Sequence, residues 1–116
     1  MTHFKVEMQL PLRYNPQDGG GLIPQEHFLE TYEELLALAG GISTSNNPII
    51  GSWIHPEKKI RYNDKTIVFI VVVGSEDKMT ITNVPKIKEL IEYKKTLKKR
   101  FKQDEIFMVA TRCNWL

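Results

Sequence analysis

"KTIVFIVVVG", residues 65–74, decides the fold of this chain. Seven consecutive apolar residues, 67–73, are rich in β-branched side chains and are bounded by Lys65-Thr66 and Gly74, the signature of a strand interior. Ile67, Phe69, Val71 and Val73 point one way, and Val68, Ile70 and Val72 the other. Both faces are apolar, so this strand belongs at the centre of a sheet and asks for cover on two sides. The run is far too short to cross a membrane as a helix.

Working outward, HFKVEMQL (3–10) alternates strictly, with Phe4, Val6, Met8 and Leu10 on a core face and His3, Lys5, Glu7 and Gln9 opposite. RYNPQDGGG (13–21) is turn chemistry, and Pro24 suits the first turn of a helix. QEHFLETYEELLALA (25–39) has a helical apolar stripe through Phe28, Tyr32, Leu35, Leu36 and Ala39, with Glu26, Glu30, Glu33 and Glu34 largely outside it. Gly40-Gly41 ends that helix. STSNNP (43–48) reads as a loop and IIGSWIH (49–55) as a strand, with EKK (57–59) turning the chain toward the 65–74 strand and IRYN (60–63) open to either arm of the hairpin. Pro85 opens a second helix expected to run to about Lys102, and DEIFMVATRCNW (104–115) reads as the last strand.

The order is β-α-β-β-α-β with a hairpin in the middle, and it predicts one α+β domain over residues 1–116. The expected architecture is a ferredoxin-like two-layer sandwich, an antiparallel sheet with its first and third strands central and both helices on one face. The last strand also alternates with two apolar faces: Ile106, Met108 and Ala110 against Phe107 and Val109. Helices cover only one side, so the other forms an exposed patch, and a second copy of the sheet is its expected cover. Homodimerisation through that open face is the expected assembly; the alternative is a C-terminal tail with Trp115 and Leu116 folded over it.

Composition sets the remaining limits. The chain has 116 residues, 41% hydrophobic and 26% charged, with a formal net charge of +2. That is ordinary for a soluble globular protein and by itself implies neither nucleic acid nor membrane as partner. The single cysteine, Cys113, cannot form an internal disulfide and fits a reducing compartment. The N-terminus alternates like a strand rather than reading as a signal peptide, so the expected location is cytoplasmic. His3, His27 and His55 match no metal spacing, and neither a metal nor another cofactor is expected. QDGGG before the first helix is the one stretch with the shape of an anion nest, but it lacks the lysine and hydroxyl of a phosphate loop and reads as a flexible loop.

Charge is unevenly spread. Residues 86–102 hold eight basic and two acidic side chains, a local +6, which leaves −4 for the rest of the chain. Lys88, Lys95, Lys99 and Lys102 form a ridge along one flank of the second helix, either solvated stems beside an apolar stripe or a surface that follows phosphates. Solvation is the favoured reading: the acidic first helix offers charge complement, and no aromatic residues interleave for base stacking. Lys94 and Lys98 fall inside the apolar arc, where a lysine must snorkel, meet a carboxylate or point into a cleft.

Gly40, Gly41, Ile42, Ser43, Thr44, Gly51, Trp53, Tyr62 and Asp64, followed by the final helix running into "RFKQDEIFMV", resemble a family of small bacterial α+β domains of unknown function. These carry a Gly-Gly stretch, a G-x-W strand and a Tyr-x-Asp opening to the next strand. The resemblance implies a ferredoxin-like fold and leaves activity open. Trp53 either caps the core or walls a ligand cleft, with His55, Tyr62, Asp64, Lys94 and Lys98 as its candidate companions. The leading expectation is a non-enzymatic, homo-oligomeric binding module. A nucleic-acid-binding protein with nuclease-like chemistry stands second, although no aspartate sits on the first strand to hold a metal. A small enzyme with its cleft at a dimer junction, using His55, Tyr62, Asp64 or Lys94, stands third.

Overall fold

The computed structural model describes residues 1–116. β1 (Thr2–Pro11) leads through a closed loop to α1 (Gln25–Ala39). β2 (Ser43–Thr44) and β3 (Ile49–Ile54) follow, then β4 (Arg61–Ser75), α2 (Pro85–Arg100) and β5 (Phe107–Cys113). All pairings are antiparallel and the sheet order is β2-β4-β1-β5, with β3 also on β4. The two long alternating strands are therefore central, as their sequences require, and the α+β ferredoxin-like sandwich holds.

The core lies between one sheet face and the helices. Phe4, Val6, Met8 and Leu10 of β1 join Phe69, Val71 and Val73 of β4, Leu35 of α1, Ile87, Leu90 and Leu97 of α2, and Phe101 and Ile106 beyond it. Phe28 of α1 packs edge-on against Phe101, ring centroids 5.1 Å apart. Gly40 ends α1 at φ +83°, with its N–H on the Leu36 carbonyl, a conformation that favours glycine.

Four local expectations change. Ser43 and Thr44 pair with Ile70 and Phe69, and Ser45 exchanges bonds with Val68, so part of the predicted loop is an edge strand. β4 starts at Arg61, because residues 61–66 pair with β3. α2 stops at Arg100, where Phe101 turns into the core and Lys102 takes a positive φ of 52°. The 13–21 segment is also more built than a flexible loop: Tyr14 N–H bonds the Gly21 carbonyl, Gly20 N–H bonds the Asn15 carbonyl, and Arg13 bridges Leu22.

The β3–β4 hairpin is the feature that positions the candidate site. β4 has 15 residues, but β1 covers only its second part, from Thr66 to Ser75. The first part pairs with β3 alone, and every residue of β3 is exposed. The result is a two-stranded ribbon standing off the body. It stretches the molecule to 44 Å and its radius of gyration to 15.0 Å, against about 13 Å for a compact chain of this length.

The open sheet face is only partly apolar. Gln9 lies between Phe107 and Val68, Glu7 between Val109 and Ile70, and Lys5 between Thr111 and Val72. A polar column thus runs down the middle of the predicted patch. Phe107 and Val109 remain 49% and 42% exposed. The tail covers one corner: Trp115 sits 5.7 Å from the His3 ring and beside Ile70 and Val72. No helix is long and apolar enough to cross a membrane.

Candidate functional site

Strand alternation carries the open face outward onto the ribbon. Trp53 pairs with Tyr62, and Gly51 with Asp64, on the same side as Gln9 and Phe107. Here the ribbon and the α2–β5 connection enclose a cleft of about 400 Å³. Its floor is Gln9 and Thr66, joined by a bond of 3.3 Å from the Thr66 hydroxyl to Gln9 Oε1. Gly51, Trp53 and Asp64 form one wall, and Gln103, Glu105 and Phe107 the other.

Trp53 does not cap the core. The residue is 42% exposed, because a two-stranded ribbon has no second layer to bury it, and its ring stacks on Tyr62 at 4.8 Å and 18°. His55 lies 5.9 Å from the indole, but its Nδ1 accepts the N–H groups of Glu57 and Lys58 at 3.2 and 3.1 Å. That nitrogen fixes the ribbon tip. Asp64 is half-buried in the cleft and has no hydrogen-bond or ion-pair partner within the chain. It is the free acceptor of the site.

Lys94 and Lys98 do not line the cleft. Both reach Glu105 Oε1, at 2.6 and 3.6 Å. A lysine inside an apolar arc has here met a carboxylate, which places it behind the cleft wall. The bond from Lys94 holds the Glu105 carboxyl below the usual carboxylate range, with the Ile106 N–H adding to the effect. Glu105 therefore faces the cleft as a neutralised group. No nucleophile–base pair forms among His55, Tyr62, Asp64 and Lys94, since Lys94 and His55 are engaged elsewhere. No three His, Cys, Asp or Glu side chains converge as a metal site would require.

The basic ridge is interrupted. Lys95 bonds Glu92 at 3.0 Å, and Lys102 has left the helix and sits 5.1 Å from the centre of the Tyr14 ring. Lys88 and Lys99 are exposed and unpaired. On the opposite flank the expected charge complement between the helices is realised. Arg100, only 10% exposed, reaches Glu34 at 2.6 Å and Glu30 at 3.6 Å, and donates to the hydroxyls of Thr31 and Tyr93. Burial pushes the Tyr93 phenol up to about 12, against the pull of Arg100. This cluster ties α1 to α2.

Gln9, Thr66, Gln103, Glu105 and Phe107 are site residues that the sequence did not single out. Only Glu105 left a signal, as the carboxylate that two misplaced lysines demand. Gln9, Thr66 and Phe107 are strand residues gathered by register, and Gln103 arrives on the α2–β5 connection.

No family model matches the chain, and no curated protein matches it. Among solved structures it is similar to the one described as the B. subtilis GlnK–ATP complex. The two share 15% identity over 97% of this chain and 82% of that one, with a TM-score of 0.52. At that identity the likeness is one of fold, and it supports the sandwich described above.

Proposed function

We propose that this chain is a non-enzymatic, homo-oligomeric binding module that takes a small planar ligand in the Trp53 cleft. One observation carries the reading: an exposed Trp53, backed by the Tyr62 ring, lines one cleft with a half-buried carboxylate, Asp64, that nothing in the chain satisfies. An aromatic wall gives sequence-tolerant stacking energy, and an unpaired acceptor gives orientation. The remaining polar groups, Gln9, Thr66 and Gln103, suit an amino-substituted heteroaromatic ring. The unpaired Asp64 carboxylate disfavours a bare polyanion against its wall.

The cleft opens onto the sheet face that carries Phe107 and Val109, so a second copy docking there would also close the cleft. The polar column of Lys5, Glu7 and Gln9 suits an interface with a hydrogen-bonded centre. The similar GlnK structure is described with ATP, which makes adenosine and ATP the natural first probes. Lys88 and Lys99 support nucleic acid as the second reading, weakened by the engagement of Lys95 and Lys102.

The test is a fluorescence titration on a Trp115→Phe background, which leaves Trp53 as the sole indole. Saturable quenching by adenosine, weakened about tenfold or more in Asp64→Asn, is the expected result. Absence of quenching by both adenosine and ATP would overturn the ligand class. Light scattering that returns a monomer at micromolar concentration would overturn the assembly.

A further inference from the structure

The other side of the ribbon faces a second, larger concavity of about 570 Å³. Its walls are the 13–20 loop, with Arg13, Tyr14 and Gly20, and the helix-side residues of β4, Arg61, Asn63 and Lys65. We infer that this groove is a binding site for a small phosphate-bearing anion, held between the Arg13 and Arg61 guanidinium groups with Lys65 beside them.

Three observations converge on it. First, none of the seven ion pairs in the molecule involves Arg13, Arg61 or Lys65. What sets these three apart from the other unpaired basic side chains is that they line one concavity together. Asp64 is the one acidic residue on the lining, and its pairing with Gly51 places it on the cleft side of the ribbon.

Second, both guanidinium groups are held by neutral oxygens. Arg61 Nε donates to Asn63 Oδ1 at 3.1 Å and its Nη2 to Ser52 Oγ at 3.3 Å, while the Ser52 hydroxyl donates to the same Asn63 oxygen at 2.7 Å. Arg13 Nη1 reaches the Gly20 carbonyl at 3.5 Å. These contacts orient the planar forks and leave other N–H groups free, the arrangement that suits phosphate oxygens.

Third, the loop that carries Arg13 is closed by its own backbone bonds, with Gly19 and Gly20 at φ +101° and +66°. Asn15 and Pro16 accept those N–H groups, so the loop is no anion nest. It acts as a rigid mount for Arg13 and for Tyr14, whose ring has Lys102 at its face.

The test is calorimetric titration of the full chain with pyrophosphate at low salt. The variants are Arg13→Gln/Arg61→Gln, Lys88→Gln as a charge control outside the groove, and Trp53→Ala. The substituted side chains are exposed, and circular dichroism checks that each variant folds. Saturable binding, weakened at least about tenfold by the double substitution and unchanged by Lys88→Gln and Trp53→Ala, is expected. The Trp53→Ala arm separates this site from the cleft on the opposite side. Absence of saturable heat, or equal affinity in the double variant, overturns the proposal. Tighter binding of a short RNA than of pyrophosphate, lost equally in Lys88→Gln, overturns it in favour of a nucleic-acid surface.

Discussion

The two halves of β4 make the instructive comparison. From Thr66 to Ser75 the strand lies between β1 and the β2 edge, and Phe69, Val71 and Val73 are buried under the helices. From Arg61 to Lys65 the same strand pairs only with β3 and has no layer above it. One half contributes to stability and specifies the fold. The other presents an indole, a free carboxylate and unpaired cations on a surface that packing does not occupy. A two-stranded ribbon is marginal alone, so its conformation leans on the body and its side chains are available for recognition.

The largest expected effect breaks the body. Phe101→Ala removes the ring at the centre of the α1–α2 seam and should cost about 3–5 kcal/mol of stability, read from urea denaturation. Arg100→Ala unties the polar half of that seam. It removes the guanidinium from Thr31 and leaves Glu34 with the Tyr93 hydroxyl as its remaining donor, for a loss of roughly 2 kcal/mol by the same measurement. If Arg100→Ala proved neutral, the helix contact would rest on apolar packing alone.

The ribbon should behave in the opposite way. Trp53→Ala should change stability by less than about 1 kcal/mol, since a half-exposed side chain has little burial to lose, while abolishing adenosine binding. Limited proteolysis sharpens the same contrast. First cuts are expected at Glu57–Lys59 in the ribbon tip, with the body intact. A first cut within β1 or α2 would mean that the two halves of β4 do not differ in stability.

The smallest effect concerns Glu105, which joins the body to the cleft. Its folded carboxyl titrates below the unfolded one, so its contribution is present at neutral pH and is lost as pH falls through the folded value. Glu105→Gln should lower Tm slightly at neutral pH and leave it unchanged once Glu105 is protonated in both the folded and the unfolded chain. The side chain is 61% exposed, which keeps the effect small. A difference that persists at acid pH would assign Glu105 a packing role in place of the ion pair.

Much of this was legible before any coordinates. The period-two patterns at 3–10 and 65–74 placed both central strands, and the stripes of 25–39 and 85–102 placed both helices. Burial imposes those periods on the sequence directly. The second apolar face of 65–74 was legible too, whereas Lys5, Glu7 and Gln9 enter the same face only through the β1–β4 register. Trp53 was open to two readings because composition cannot say whether a hairpin lies on a second layer or stands free.

Sequence alone thus determined both helices, the long strands, their order and most of the core, because hydrophobic periodicity is a local record of which face meets water. Tertiary structure decided which side chains share a space. Asp64 became a free acceptor, Lys94 and Lys98 became the anchors of Glu105, and Arg13 came to line one groove with Arg61. Each of these depends on strand register and on two remote segments meeting, and Coulomb and hydrogen-bond partners chosen in space leave no periodic trace along the chain.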